Sequence, residues 1–331
     1  MACACGAPTP VVDDPNGDVL IDHEYAIISI RDGVEQIEMR LSLDTMTQNS
    51  GLIMPTPNPA TVSLGDAQAF DALARQMTPE IVTIYDWWTT QGYFGSGGAP
   101  PSSKDGSPVI LSTVQLGPLE ATVLAASDPS GLTVWLEENG YGIRSEVTDL
   151  LATYIDRNWY FVAMKLTNEA TLDGDLDPIS FTFDIPASGP VYPLLLSQAA
   201  RVAQTVNLYV FDNHMRDVVF DNGDHAPMLY GAPVWSGKVD EPALLKYGAY
   251  LAAYSFHFEE PITDIKGDLV FPRSPEDLEY GQVEYRTVYL QVLGIPLGWL
   301  LVAVVAVVAI LITVRVVQSP KRTGSVPVKT P

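Results

Sequence analysis

Cysteine and basic side chains are scarce in this chain of 331 residues. Its two cysteines, Cys3 and Cys5, lie within the first five residues, and only 18 Lys and Arg stand against 40 Asp and Glu, a formal net charge of −22. Because nucleic-acid binding depends on basic side chains that neutralise phosphates, this composition argues against a nucleic-acid partner. Both cysteines lie too close to the chain terminus to predict a catalytic thiolate.

The motifs of common catalytic and nucleotide-binding sites are also lacking. The sequence has no G-x-S-x-G elbow, no H-E-x-x-H zinc motif, no P-loop and no dinucleotide-binding glycine pattern. No catalytic residue and no cofactor site is therefore predicted, which favours a non-enzymatic protein. With 47% apolar residues, the chain can nevertheless bury a sizeable core and fold as a globular body.

One apolar run is long enough to cross a bilayer. From Leu297 to Val314 there are 18 consecutive residues without a charge, and Ile295-Pro296 extends the run at its start. At about 1.5 Å per residue, this length matches a hydrocarbon core of roughly 30 Å. The run predicts a single transmembrane helix at 295–315, with the lipid bilayer as its partner.

The distribution of charge predicts the orientation of this helix. Arg315, Lys321 and Arg322 follow the span directly, whereas residues 1–290 hold all 40 acidic residues. Basic residues tend to stay on the cytoplasmic side of a span. We therefore expect a cytoplasmic tail at 316–331 and an extracytoplasmic domain at 24–290. Alanines at every third position from Ala303 to Ala309 are a weak hint of a membrane protein partner.

The first 23 residues form a separate N-terminal segment with Cys3 and Cys5. An extracytoplasmic domain needs an export signal, and MACACGAPTP contains no apolar stretch of that kind. We expect either a cleaved signal peptide that Met1 replaces or a start assigned too far downstream. Cys3 and Cys5 could form a strained disulfide, a lipidated terminus or a two-thiolate metal clip.

Alternating and apolar runs separated by turn residues predict a mostly antiparallel β-sheet with a few packed helices, an α+β fold. Residues 24–43 predict a hairpin, because Asp32-Gly33 lies between two alternating strands and accepts the positive φ that the turn requires. Helices are predicted after Asp66, after Asp128-Pro129 and from Ser145. Further strands are predicted at Val109–Val114, Glu120–Ala126, Tyr160–Leu166, Ile179–Ile185, Val191–Leu196, Val206–Phe211 and Tyr250–Phe258.

Residues 95–108 have the composition of an exposed flexible loop. This stretch, from the Gly95-Ser96-Gly97 triplet to Pro108, is rich in Gly, Pro and Ser. We interpret it as an insertion, and the domain at 24–290 is expected to have one body or two lobes that this loop separates.

The richest polar cluster of the sequence is FDNHMRDVVFDNGDHAP, from residue 211 to residue 227. Its imidazoles and carboxylates could hold a divalent ion, and the candidate ligands are His214, Asp217, Asp224 and His225. The simpler interpretation is two short strands and a turn at residues 221–224, in which the polar residues make the bends.

Seven short motifs, in order, resemble a bacterial family known as domain of unknown function 2330. They are Cys5-Gly6, Met54-Pro55-Thr56-Pro57, Thr78-Pro79, Leu116-Gly117-Pro118, Trp135-Leu136 with Asn139-Gly140-Tyr141, Tyr160–Leu166, and Gly189-Pro190. The likeness covers about residues 3–260. It implies an exported bacterial protein of the cell envelope, often with a C-terminal membrane anchor. It brings no activity and no site residues.

These observations lead to one functional expectation and two alternatives. We expect a single-pass protein of the cell membrane whose extracytoplasmic domain binds or interacts with a partner. The first alternative is a metal-dependent extracytoplasmic hydrolase that uses the cluster at 212–225. The second is an accessory subunit of a larger membrane complex.

Overall fold

The computed structural model describes residues 23–40, 51–88, 112–116, 119–139, 144–166, 177–281, 283–293 and 295–318. Its contacts divide the chain into two compact units. Unit 1 comprises Met1–Thr78 and Gly98–Gln282, and unit 2 comprises Pro79–Gly97 and Val283–Pro331. Cys3 and Cys5 and the predicted loop at 95–108 lie outside the described residues, so the possible disulfide and the division into two lobes at that loop stay predictions.

A seven-stranded mixed sheet is the largest element of unit 1. In spatial order its strands are β13 (Trp235–Lys238), β14 (Tyr250–Phe258), β11 (Gln204–Asp212), β1 (His23–Arg31), β2 (Val34–Arg40), β9 (Ile179–Asp184) and β4 (Thr61–Leu64). Only the central pair β1 and β11 is parallel; the other neighbours are antiparallel. The predicted turn at Asp32-Gly33 joins β1 to β2, with positive φ at both residues.

A four-stranded antiparallel sheet and a small three-stranded sheet complete the β-structure of unit 1. The first has the order β3 (Gly51–Thr56), β8 (Tyr160–Leu166), β7 (Leu119–Ala125) and β6 (Ser112–Leu116). The second has the order β10 (Val191–Tyr192), β15 (Leu269–Val270) and β12 (Val219–Phe220).

The described helices of unit 1 are α1 (Ala67–Gln76), α2 (Pro129–Glu138), α3 (Ser145–Asp156), the single turn α4 (Pro261–Asp264) and a 3-10 helix at Leu195–Ala199. Two of them, α1 and α2, begin at a capping aspartate. The Asp66 side chain accepts from the backbone N–H of Gln68, and Asp128 accepts from that of Gly131, so both aspartates cap free N–H groups of a first turn.

Three buried clusters hold these elements together as four layers. The central cluster lies between the two large sheets, with Ile28 and Phe181 from one and Met54 and Val162 from the other. A second packs the opposite face of the four-stranded sheet against α2, α3 and the 3-10 helix. A third packs α1 against the opposite face of the seven-stranded sheet. The predicted α+β class is confirmed.

One predicted strand is largely wrong. The run Val191–Leu196 is a strand only at Val191–Tyr192, and the 3-10 helix begins at Leu195. The backbone N–H groups of Leu194 and Leu195 donate to the Asp268 carboxylate at 2.9 and 3.0 Å instead of to a neighbouring strand. A buried carboxylate distant in the sequence therefore overrides the apolar pattern.

Unit 2 consists of two parallel strands, a short hairpin and the apolar helix. The strands β5 (Glu80–Asp86) and β16 (Val283–Tyr289) pair in parallel, in a two-stranded ribbon. The strands β17 (Gln291–Val292) and β18 (Ile295–Pro296) form the hairpin, and α5 covers Leu297–Gln318. The helix thus begins two residues later than the predicted 295, because Ile295 and Pro296 pair with β17.

Candidate functional site

The four predicted metal ligands do not form one site among the residues that the structure describes. His214 pairs through Nδ1 with Asp277 at 2.9 Å, and Asp224 pairs with Lys266 at 3.3 Å. The backbone N–H of Asp217 donates to Pro272, and exposed His225 forms an isolated β-bridge with Val219. Across the described ranges, no three His, Cys, Asp or Glu side chains are placed to hold a metal ion.

Residues outside the predicted cluster supply most of these contacts. Asp277, which sequence reasoning missed, also accepts from the backbone N–H of Met215 at 2.8 Å. The hydrogen bond from His214 and this backbone bond lower the pKa of the Asp277 carboxyl. Ion pairs and turn hydrogen bonds therefore hold the segment 212–225, which includes the short strand β12, in place. Metal binding there stays a prediction.

A second polar cluster surrounds Asp268, which is fully buried just before β15. Its carboxylate accepts from the Tyr154 hydroxyl at 2.5 Å and from the Arg157 guanidinium at 2.9 Å, in addition to the two backbone N–H groups of the 3-10 helix. Arg157 also pairs with Asp221 at 3.1 Å. Burial raises the pKa of Asp268 and of Tyr154.

The buried carboxylate of this Asp268 cluster is fully paired. The Asp268 oxygens accept four donors between them, and Arg157 is shared by two carboxylates. A buried charge is tolerated when it is paired and hydrogen-bonded in this way. The cluster therefore joins α3, the 3-10 helix and β15.

A third feature is the pair of glutamates that face the core between the two large sheets. Glu24 accepts from the Tyr192 hydroxyl. Glu35 lies opposite Ile30 and Phe183 and is completely buried. One of its oxygens accepts from the backbone N–H of Val191 at 3.0 Å, and the other has no hydrogen-bond partner among the residues that the structure describes.

Burial determines the protonation of Glu35. It raises the pKa of this carboxyl to about 8, although the Val191 hydrogen bond and the charge of Arg216 act in the opposite direction. Glu35 is therefore largely protonated at neutral pH, which avoids an ionised group with one unpaired oxygen in an apolar layer.

The fourth feature is the start of α5 in unit 2. The segment Leu297–Val316 is 20 residues long, has the apolar composition of a membrane span, and is almost entirely exposed. At its first turn, the backbone N–H groups of Leu297 and Gly298 donate to the carbonyls of Leu290 and Trp87, each at 2.8 Å. Backbone groups from outside the helix thus satisfy N–H groups that have no partner within it.

Two tryptophans hold this junction, and they come from distant parts of the sequence. The rings of Trp88 and Trp299 meet edge to face, with centroids 5.8 Å apart. Gly298 lets Trp88 come so close, because a Cβ at residue 298 would lie 2.6 Å from the Trp88 ring and 2.8 Å from the Trp87 carbonyl oxygen. No pattern in the sequence predicts that Trp87 and Trp88 adjoin Trp299.

We expect the Gly298→Val variant to open this junction, since the Trp87 carbonyl belongs to the backbone and cannot turn away as a side chain can. The edge-to-face tryptophan pair should give an exciton signal in the circular dichroism of the full chain in micelles. That signal should be lost in Gly298→Val and in Trp88→Phe. The control Ala303→Val adds volume to an exposed position of the same helix and should retain it. An unchanged signal in Gly298→Val would contradict the close contact.

The protonation of Glu35 predicts a pH-dependent stability. The folded state holds a proton on Glu35 between its ordinary pKa of 4.5 and the raised value of about 8, whereas the unfolded state releases it. Through this group, the free energy of unfolding should fall as the pH rises through that window, by up to about 1.4 kcal/mol per pH unit.

The free energy of unfolding of the full chain is measured by denaturant unfolding between pH 5 and pH 8. The Glu35→Gln variant should remove the contribution of Glu35 to the slope of this free energy against pH. Glu137→Gln, at an exposed position of α2, should keep the wild-type slope. The difference between the two slopes isolates Glu35, and equal slopes would mean that its carboxyl is ionised in the folded state.

A comparison with protein families adds one match. The model of a bacterial family, described as "Uncharacterized protein conserved in bacteria (DUF2330)", matches residues 1–271. No curated protein and no solved structure matches the chain. The family match ends before β16 and α5, so it does not include the apolar helix. Since the match covers most of the chain, including nearly all of unit 1, the protein belongs to the DUF2330 family of bacterial proteins.

Proposed function

We propose that this protein is a single-pass membrane protein that displays unit 1 outside the cytoplasm and binds a partner protein through the ribbon of unit 2. The observation that carries the proposal is the apolar surface of unit 2. Along α5 and along the ribbon, large apolar side chains are exposed in the described chain. A contiguous exposed apolar surface of this kind marks a membrane or protein contact.

Anchoring follows from the dimensions and surroundings of α5. A core helix of a soluble protein would be covered by neighbouring elements, whereas α5 is almost entirely exposed. Its 20-residue apolar segment suits a bilayer of roughly 30 Å.

The ribbon supports a protein partner as well as a lipid contact. Parallel strands are normally buried on both faces, and two strands alone are at best marginally stable. In β5, however, Ile81, Ile84 and Tyr85 are exposed, and β5 and β16 pair only with each other among the described strands. Ile81 lies about 20 Å along the strand from Trp87, at about 3.3 Å per residue. If the ribbon stands perpendicular to the membrane and meets the bilayer at Trp87, Ile81 is too far from the lipid to be covered by it. We therefore assign the exposed apolar surface of the ribbon to a protein partner.

The polar groups of unit 1 favour binding over catalysis. The Asp268 cluster, the His214–Asp277 pair and the Asp224–Lys266 pair are each engaged in bonds within the unit. None of these described contacts therefore supports the alternative of a metal-dependent hydrolase. The accessory-subunit alternative agrees with the proposal, because the partner of the ribbon would then be another subunit of the complex.

We expect the orientation to follow the basic residues Arg315, Lys321 and Arg322 after the span. The test uses a chain whose Cys3 and Cys5 are replaced by serine, expressed in cells that have no outer membrane. On intact cells, a membrane-impermeant maleimide should label the Val134→Cys variant. Ser325→Cys should react only after the cells are opened. Labelling of Ser325→Cys alone would place unit 1 in the cytoplasm.

We expect a photo-crosslinking amino acid at Ile81 to capture a discrete partner in native membranes. Val134 on α2 is the matched control, because both side chains are aliphatic and similarly exposed, at 55% and 52%. The adduct at Ile81 should vanish when Tyr85→Asp is added, since residues 81 and 85 lie on the same face of the strand and that change places a charge on this face. Equal adducts at both positions, or an adduct that survives Tyr85→Asp, would contradict the ribbon as the binding surface.

A further inference from the structure

Exposed aromatic and apolar side chains from outside α5 surround the start of this helix. Trp88 is 54% exposed and Trp299 is 59% exposed, although the two rings contact each other. Trp87 is also exposed, and its carbonyl accepts from the first turn of α5. Three indoles therefore lie where the chain enters the apolar helix, and two of them come from a strand about 200 residues earlier in the sequence.

The polar edges of these indoles are available to the surroundings. Within the described ranges, none of the three indole N–H groups donates a hydrogen bond to the protein. A tryptophan ring is apolar over most of its surface and has one donor, so it suits a boundary that is apolar on one side and wet on the other. Tryptophan is enriched at both interfaces of a membrane for this reason.

The hairpin β17–β18 adds an aliphatic element at the same end of the helix. Leu293 follows β17, is 98% exposed and has a positive φ of 53°. Positive φ is uncommon for a bulky residue such as leucine. Val292 and Ile295 beside it are also exposed. The chain thus presents a leucine outward at a turn, where a polar residue or glycine would be expected in water.

The charge pattern agrees with a lipid contact. No charged residue occurs between Arg286 and Arg315, so the last residues of β16, the hairpin and the helix entrance are uncharged. The nearest charged side chain of β5, Asp86, accepts from the backbone N–H of Trp88 at 2.7 Å. The apolar surface is also continuous with α5, since the hairpin leads directly into its first residue.

We propose that Trp87, Trp88, Trp299 and Leu293 form a collar that inserts into the boundary between headgroups and acyl chains at the outer end of α5. The collar rests on the proposed function in one respect, since it requires that α5 spans the bilayer. It adds a second membrane contact from a remote part of the chain. The collar would fix the C-terminal end of β5 at the membrane surface. The end of the ribbon that lies next to α5 would be fixed there as well.

The test uses the full chain labelled with 5-fluorotryptophan in lipid nanodiscs. Each fluorine resonance is assigned by a single Trp→Phe variant, and a nitroxide near the top of the acyl chains broadens nearby resonances. The resonances of Trp87, Trp88 and Trp299 should lose most of their intensity. Trp159 of unit 1, whose ring packs on Tyr154, should not change and serves as the reference.

The outcomes separate the collar from the anchor. Broadening of Trp299 without Trp87 and Trp88 would overturn the collar and leave α5 as a simple span. If none of the three is broadened, the membrane anchor fails together with the collar.

A second probe does not depend on replacing a tryptophan. In the chain without Cys3 and Cys5, an environment-sensitive fluorophore on Leu293→Cys should shift its emission to the blue in nanodiscs relative to the denatured chain. It should also be quenched by lipid-borne nitroxides but not by a water-soluble quencher. The same fluorophore on Val134→Cys is the control for an exposed aliphatic position. Quenching of Leu293→Cys by the water-soluble agent alone would overturn the insertion of the hairpin.

Discussion

Both large sheets of unit 1 bury apolar side chains on both of their faces, and the layers of the unit follow from this constraint. Along β1, Ile28 faces the central layer and Ile27 faces α1; along β8, Val162 and Phe161 face opposite ways in the same manner. The inner faces cover one another, and helices cover the apolar parts of the two outer faces, which makes four layers. The rest of the outer face of the seven-stranded sheet is polar and only half-buried, for example at Thr182, Asn207 and His257.

Most polar groups buried within these layers have partners, because an unpaired buried polar group is costly. Glu38 on β2 accepts from the Tyr247 hydroxyl at 2.9 Å and from the backbone N–H of Asp66 at 3.0 Å. This places the N-cap of α1 on the outer face of the sheet. Asp268 does the same for the 3-10 helix on the other side of the unit. Unit 1 therefore uses its buried carboxyls to position helices, whereas unit 2 keeps large apolar side chains exposed.

Local patterns predicted much of this fold. The Asp32-Gly33 hairpin, the caps of α1 and α2, and the apolar helix were readable because each signal lies within a few neighbouring residues. The pairings that join distant segments were not readable. The parallel pair β1–β11 joins residue 23 to residue 205, and the ribbon joins residue 80 to residue 283. The alternation of apolar and polar residues predicts a strand but does not indicate which other strand it pairs with. For the same reason the polar run at 212–225 suggested a metal site, although Asp277, Lys266 and Arg157 from elsewhere take up three of its side chains.

The most direct test of a membrane anchor is the extraction of cell membranes with alkaline carbonate, which removes proteins that are only bound to the surface. If α5 spans the bilayer, the full chain stays in the membrane pellet, and the double variant Val305→Arg, Val308→Arg moves to the soluble fraction, because two charges in the middle of the span make insertion unfavourable. Release of the unmodified chain by carbonate would contradict the anchor, and with it the lipid contact proposed for α5 and the collar.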